Sequence, residues 1–265
     1  MKYSEEWIEQ FRDIILEFHK KKTEDPFKLW FYSCLEHGCF KDLFQRILLI
    51  LINARFDQMT TAENALENTR KVVSLGALER LLSFGDVKYL IPRRNLSGED
   101  WAKSFVTSLP KLHDLAKIIV EKRVWSAKEL IDAIVGCHIP YFGIKTARLA
   151  VRWLHELVPE LNIDMSDYDL PVDSLIYRVL CRLGILDPYV YPYQGKESIA
   201  DKVVQRFART VFPNYTHLLD EPLWIMGRRF CYPKYPNCWV CPLNIICKKR
   251  YRDVDPSAIG YYYFR

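Results

Sequence analysis

Cys231, Cys238, Cys241 and Cys247 stand within seventeen residues, spaced C-x6-C-x2-C-x5-C in the stretch FCYPKYPNCWVCPLNIICKK. Four thiols this close call for a shared partner: a pair of disulfides, a zinc ion or an iron–sulfur cluster. Structural zinc usually takes two separated C-x2-C knuckles, and this stretch has one. Disulfides suit short secreted chains, and nothing in this sequence looks secreted. A [4Fe-4S] cluster takes four thiolates and accepts irregular spacing. The spacing therefore favours the cluster over zinc, and zinc over disulfides. Cys34, Cys39, Cys137 and Cys181 are scattered among apolar neighbours and read as small buried hydrophobes.

The cysteine spacing resembles the C-terminal cluster loop of the endonuclease III family of DNA glycosylases. The flank LWIMGRRFC, ending at Cys231, is similar to that family's last helix running into its first cysteine. A second segment carries the same resemblance. Residues 126–157 read as helix, short hairpin, helix, and the hairpin Pro140-Tyr141-Phe142-Gly143, followed by Ile144, Lys145, Thr146 and Ala147, resembles the family's helix-hairpin-helix motif. In that motif a Pro-Gly-hydrophobic-Gly turn precedes the lysine of the lyase members. Its physics is an anion site, because hairpin N–H groups and the start of the second helix point at one DNA phosphate. Tyr141 replaces the first turn glycine. Either the turn is reshaped, or Tyr141 carries a positive φ at some strain while offering its ring to DNA.

What the resemblance implies is a set of roles. Lys145 becomes the nucleophile that forms a Schiff base; a cation at a helix start works against the macrodipole, which favours the neutral amine. Asp173, in the segment Leu170-Pro171-Val172-Asp173-Ser174, matches the family's catalytic aspartate. It also reads as a plain helix N-cap. Asp164, Asp167 and Asp169, in what looks like an insertion over 158–170, are rival carboxylates. The residue that fills the gap left by an extruded base aligns with Arg55, in the run Asn53-Ala54-Arg55-Phe56-Asp57-Gln58, with Phe56 as an apolar alternative; a structural role for Arg55 at the helix end stands equally. Arg55, Pro140, Tyr141, Phe142, Gly143 and Ile144 are thus the expected DNA-binding residues.

Helices must position these groups, and the pattern is helical almost throughout. Ser4 caps a first helix opening with Glu5 and Glu6. A helix over 41–54 is apolar nearly all round. Thr60 and Glu63 form a capping box, as do Ser126 and Glu129. Residues 92–100 read as a loop, and Leu109-Pro110 starts a helix through Lys122. Asp173 caps a helix stopped by Gly184. No strand signal of appreciable length is seen. The fold class is all-α: a two-domain helix-hairpin-helix glycosylase fold with an iron–sulfur cluster loop. Its helical-barrel domain would span 43–171 and its cluster domain would join 1–42 to 172–265, with the active-site cleft between them.

Composition sets outer limits. At 265 residues, 49% hydrophobic and 27% charged, the chain buries a real core and is not disordered. No apolar run approaches the roughly 18 residues of a membrane span. The acidic, amphipathic opening MKYSEEWIEQ is not a secretory signal, so the expectation is an intracellular monomer of a prokaryotic cytoplasm or nucleoid. The net charge of +5 is compatible with nucleic acid, and seven basic residues, among them Arg228, Arg229, Lys248 and Lys249, cluster around the cysteines. The implied reading is a bifunctional glycosylase and AP lyase acting on double-stranded DNA with a damaged base or abasic site. Oxidised pyrimidines are the default substrate. Its rival is a catalytically idle iron–sulfur protein that recognises damage.

Overall fold

The computed structural model describes residues 3–21, 23–57, 61–92, 96–191, 193 and 199–263, the last four of them as backbone alone. Helix makes up 64% of the structure, in twelve helices among the described residues. In chain order they are α1 (Glu5–His19), α2 (Pro26–Glu36), α3 (Leu43–Asp57), α4 (Ala62–Ser74), α5 (Phe84–Val87), α6 (Gly98–Lys122), α7 (Ala127–Gly136), α8 (Ile144–Leu157), α9 (Ser174–Leu183), α10 (Ile199–Val211), α11 (Asp220–Arg229) and α12 (Pro256–Tyr263). Two three-residue strands, β1 (Val124–Ser126) and β2 (Asn162–Asp164), pair in parallel with Trp125 opposite Ile163. None of the described helices is long and apolar enough to cross a membrane.

The chain forms two compact units, one of Glu24–Asp164 and one joining Met1–Thr23 to Met165–Arg265. The sequence division at 42/43 and 171/172 thus differs from the compact units at both joins, and α2 belongs to the central unit. Asp25 explains why a helix starts there. Its carboxylate accepts from Phe27 N and Lys28 N, and Pro26 takes the first helical position, where no N–H is needed. The other carboxylate oxygen accepts from Trp153 Nε1 on α8 at 3.0 Å, tying α2 to the unit's core.

At the centre of that unit lies α3, buried on every side from Ile47 to Phe56 and packed against α4, α6 and α8. α6 is longer than expected. It opens at Gly98 behind the cap Ser97, whose hydroxyl accepts from Asp100 N, and it carries Pro110 in its interior. A proline there costs about 3 kcal/mol. The apolar stripe Trp101, Phe105, Leu109, Leu112, Ala116 and Ile119 runs unbroken past it, and the proline itself is exposed, so burial outweighs the lost hydrogen bond. The cap of α4 is Thr61, accepting from Asn64 N; Thr60 lies outside the described residues. At α7, Ser126 accepts from Glu129 N as expected, but the Glu129 carboxylate pairs with Lys122 rather than closing a capping box.

In the other unit α9 is the central helix, packed against α11 and α12. Gly227 of α11 makes this approach possible, since a Cβ there would sit 2.7 Å from Leu175 Cβ. α1 lies against α10 and α11 and buries Phe11 and Ile15. Residues 158–170 are not the irregular polar insertion expected. Val158, Leu161, Ile163, Met165, Tyr168 and Leu170 are all buried, and β2 lies among them. In the terminal unit the Gln205 carboxamide bonds both Leu170 N and Leu170 O at 2.8 Å, which holds the segment leading to Asp173.

Candidate functional site

Each unit holds part of the residue set singled out by the sequence. In the terminal unit the four cysteines occupy a loop after α11, shaped by two 3₁₀ turns, Cys238–Val240 and Pro242–Ile245. Two buried arginines of α9 build that loop. Arg178 donates through Nε to Cys231 O and through Nη2 to Gly227 O at 3.0 Å, and its Nη1 stands 3.7 Å from Asp255. Arg182 donates to the carbonyls of Tyr232, Pro233, Tyr251 and Val254, and its Nη1 reaches Cys231 Sγ at 3.2 Å. Five carbonyls and one sulfur of an irregular loop are therefore satisfied by two side chains from one helix.

The sulfurs sit within electrostatic reach of one another. Burial pushes the thiols of Cys231, Cys241 and Cys247 up, Cys241 to about 11, and neighbouring thiols of the set push each further. Lys249 N donates to Cys247 Sγ at 3.4 Å, from a residue held at φ +54°. All eight cysteines of the chain are free thiols. Among the described residues, no group of three or more His, Cys, Asp or Glu closes to metal-holding geometry. The donor set itself suits a soft metal centre: four half-buried thiols, with N–H and guanidinium donors aimed at sulfur, the pattern that stabilises thiolate charge in a cluster site. Of the other cysteines only Cys181 is a buried hydrophobe. Cys34 and Cys137 are half-buried and Cys39 is exposed, against the sequence expectation.

In the central unit the hairpin of residues 137–143 joins α7 to α8. His138 and Tyr141 both take positive φ, +48° and +61°, and Phe142 N donates to Ile139 O at 3.0 Å. The turn is thus kept, and Tyr141 carries the left-handed backbone that glycine would adopt freely. Ile139 and Phe142 anchor the hairpin in the core, each 4% exposed. Lys111 of α6 donates to His138 O at 2.8 Å and closes the hairpin from outside. Gly143 is the N-cap of α8 and supplies no side-chain cap, and open space surrounds the place its Cβ would take. The first N–H groups of α8 thus have no side-chain capping partner from Gly143.

Lys145 occupies the first turn of α8, half-buried, with no hydrogen bond or ion pair among the described residues. Of the other residues expected at a DNA surface, Tyr141 and Gly143 are exposed and Pro140 and Ile144 half-buried, while Phe142 is a core anchor. Arg55 is also not at the surface. It is fully buried, with its guanidinium carbon 5.5 Å from the Trp101 ring centroid and 5.2 Å from that of Tyr141, and Nη2 donates to Ser104 Oγ at 2.9 Å. Burial lowers its pKa to about 10, so it stays cationic at neutral pH. Phe56 is likewise fully buried, and Gln58 lies outside the described residues.

Asp173, in the terminal unit, is half-buried and caps α9, accepting from Ile176 N at 2.8 Å. Asp169 is engaged by Arg209 in an ion pair, and Asp164 sits exposed on β2. Sequence reasoning passed over Arg178 and Arg182. Their signal is legible, since two arginines spaced i, i+4 in the apolar run LIYRVLCRL face a buried polar partner or none at all.

No protein-family model matches the chain. Over 209 residues it is 26% identical to the human protein named Tudor domain-containing protein 5, a match that takes in 75% of this chain and 21% of that protein. The chain thus spans about a fifth of the length of the curated relative it matches.

Proposed function

We propose that the chain is a DNA-repair glycosylase with AP lyase activity, of the endonuclease III type, that removes a damaged base from double-stranded DNA. The α7–hairpin–α8 segment is then its helix-hairpin-helix motif and the cysteine loop its cluster loop. The observation that carries the reading is the hairpin. A left-handed turn leads into a helix start with no side-chain cap, and a half-buried lysine stands in that helix's first turn. N–H groups at a helix start favour a phosphate. In this reading a lysine beside that phosphate acts on the sugar it carries.

In this reading the Lys145 amine attacks C1′, and the bond from C1′ to the base breaks with the base as leaving group. The sugar ring opens to give a Schiff base between C1′ and Nζ. Loss of a proton from C2′ then expels the 3′ phosphate by β-elimination. The Asp173 carboxylate stabilises the positive charge that develops on the sugar as the base departs. An oxidised pyrimidine is the default base by resemblance.

Cys231, Cys238, Cys241 and Cys247 would hold a [4Fe-4S] cluster, whose contribution with four thiolate ligands is a fixed loop shape rather than an open reactive site. The purified protein is expected to be brown and to contain about four irons and four acid-labile sulfides per chain. About one zinc and no iron would overturn that assignment.

The test of the function is borohydride trapping on a duplex with one abasic site. A covalent protein–DNA adduct, together with strand cleavage, is the expected result. Tight binding without adduct or cleavage would replace the proposal by its rival, a DNA-binding protein without catalysis.

A further inference from the structure

Three aromatic and cationic groups form a line of contacts in the central unit. Trp101 on α6 and Arg55 on α3 are fully buried, the guanidinium lies over the Trp101 ring and over that of Tyr141, and Tyr141 is itself 44% exposed. Phe56 and Phe105, stacked at 4.6 Å, pack beside Trp101 and make the floor rigid. Two features of this line work against stability. A tyrosine holds φ +61°, where side chains are disfavoured and glycine is not. A guanidinium sits in an apolar interior, where burial disfavours its charge. Strain and buried charge kept together, with one ring of the group at the surface, are the marks of a site and not of a core.

We infer that Tyr141, backed by Arg55 and Trp101, is a stacking platform for a nucleobase of the DNA whose phosphate the hairpin holds. The inference rests on the proposed function for that phosphate contact. The chemistry of the ring selects the occupant. A cation against its inner face draws on the ring's negative quadrupole, which leaves the outer face suited to an electron-rich ring. A purine or pyrimidine stacked on it meets that need, and stacking tolerates any base because each has a π-face. Lys145 in the first turn of α8 and Lys111 bonded to His138 O bring cationic charge to the hairpin, which suits a nucleic acid; the Asp114 carboxylate acts on its Cys137 end. Arg55, buried and bonded to Ser104, cannot swing out as a wedge; it acts by holding the Tyr141 ring in place before DNA arrives.

The experiment uses the full chain and a duplex with one abasic site flanked by 2-aminopurine. Wild type is expected to quench or shift the 2-aminopurine emission on binding. Tyr141→Gly is expected to weaken binding by about tenfold to a hundredfold and to lose the emission change. The same variant should melt no lower than wild type, because glycine relieves the left-handed turn. Tyr141→Phe, which keeps the ring, should retain both the affinity and the emission change. If wild type binds and traps on the abasic site while Tyr141→Gly matches it in affinity and emission, the platform is wrong and the glycosylase reading stands. If the Tyr141-dependent emission change appears without any borohydride adduct, the platform stands and the lyase reading falls. If wild type binds no DNA, both fall.

Discussion

Lys145→Gln is expected to abolish borohydride trapping and strand cleavage on abasic DNA, a loss on the order of a thousandfold or more, while duplex affinity changes by no more than a few-fold. The two effects separate because different atoms carry them. The amine is needed for the Schiff base and has no substitute in glutamine. In the proposed function the phosphate contact is carried by backbone N–H groups of the hairpin and the start of α8, which no side-chain exchange at 145 removes. Folding should be little affected, since Lys145 makes no hydrogen bond or ion pair among the described residues and glutamine is a good helix former. Gel-resolved trapping beside a binding isotherm on the same duplex checks both halves. Undiminished trapping would assign the nucleophile to another amine, and equal loss of binding and trapping would make Lys145 a phosphate contact only.

The parts of this fold that were legible in the sequence are those where local signals agree. Ser4, Glu5 and Glu6 announce α1 at the residue where it begins, and Asp173 and Gly184 bracket α9 from cap to left-handed stop. The apolar run of α3 reads as a core helix and is one. Pro110 suggested a helix start but lies inside α6, where six buried side chains on one stripe decide the matter. The sequence reading left out α2, which opens at Pro26 behind the cap Asp25. The acidic residues of 158–170 masked the alternation of buried Leu161, Ile163 and Met165 with exposed Asn162 and Asp164, which is the period of a strand.

The candidate site divides in the same way. Cys231, Cys238, Cys241 and Cys247 declare themselves by spacing, and Tyr141 by its place in the turn. Arg55 was singled out by alignment as a residue at the DNA surface, and only Trp101 and Tyr141, brought in from distant segments, show where its buried guanidinium goes. No local pattern encodes that triple.

Asp173→Asn should slow base removal by at least about a hundredfold while changing DNA affinity and thermal stability little. Asp173 has two tasks in this proposal, and the substitution divides them. As a cap it accepts from Ile176 N at 2.8 Å, which an asparagine carbonyl also does, so helix α9 keeps its start. As a carboxylate it faces a positive charge that exists only as the glycosidic bond breaks, and a neutral amide cannot replace it there. The loss should therefore appear in the single-turnover rate of the chemical step and not in binding. Asp173→Ala completes the comparison. It removes charge and cap together, so it should match Asp173→Asn in rate but lose about 1 kcal/mol of stability as well. Equal rates for both variants, with stability falling in alanine alone, would separate catalysis from capping within one residue. Near-normal base excision by Asp173→Asn would leave Asp173 a cap. The search would then pass to Asp164, Asp167 and Asp169, the last of them paired with Arg209.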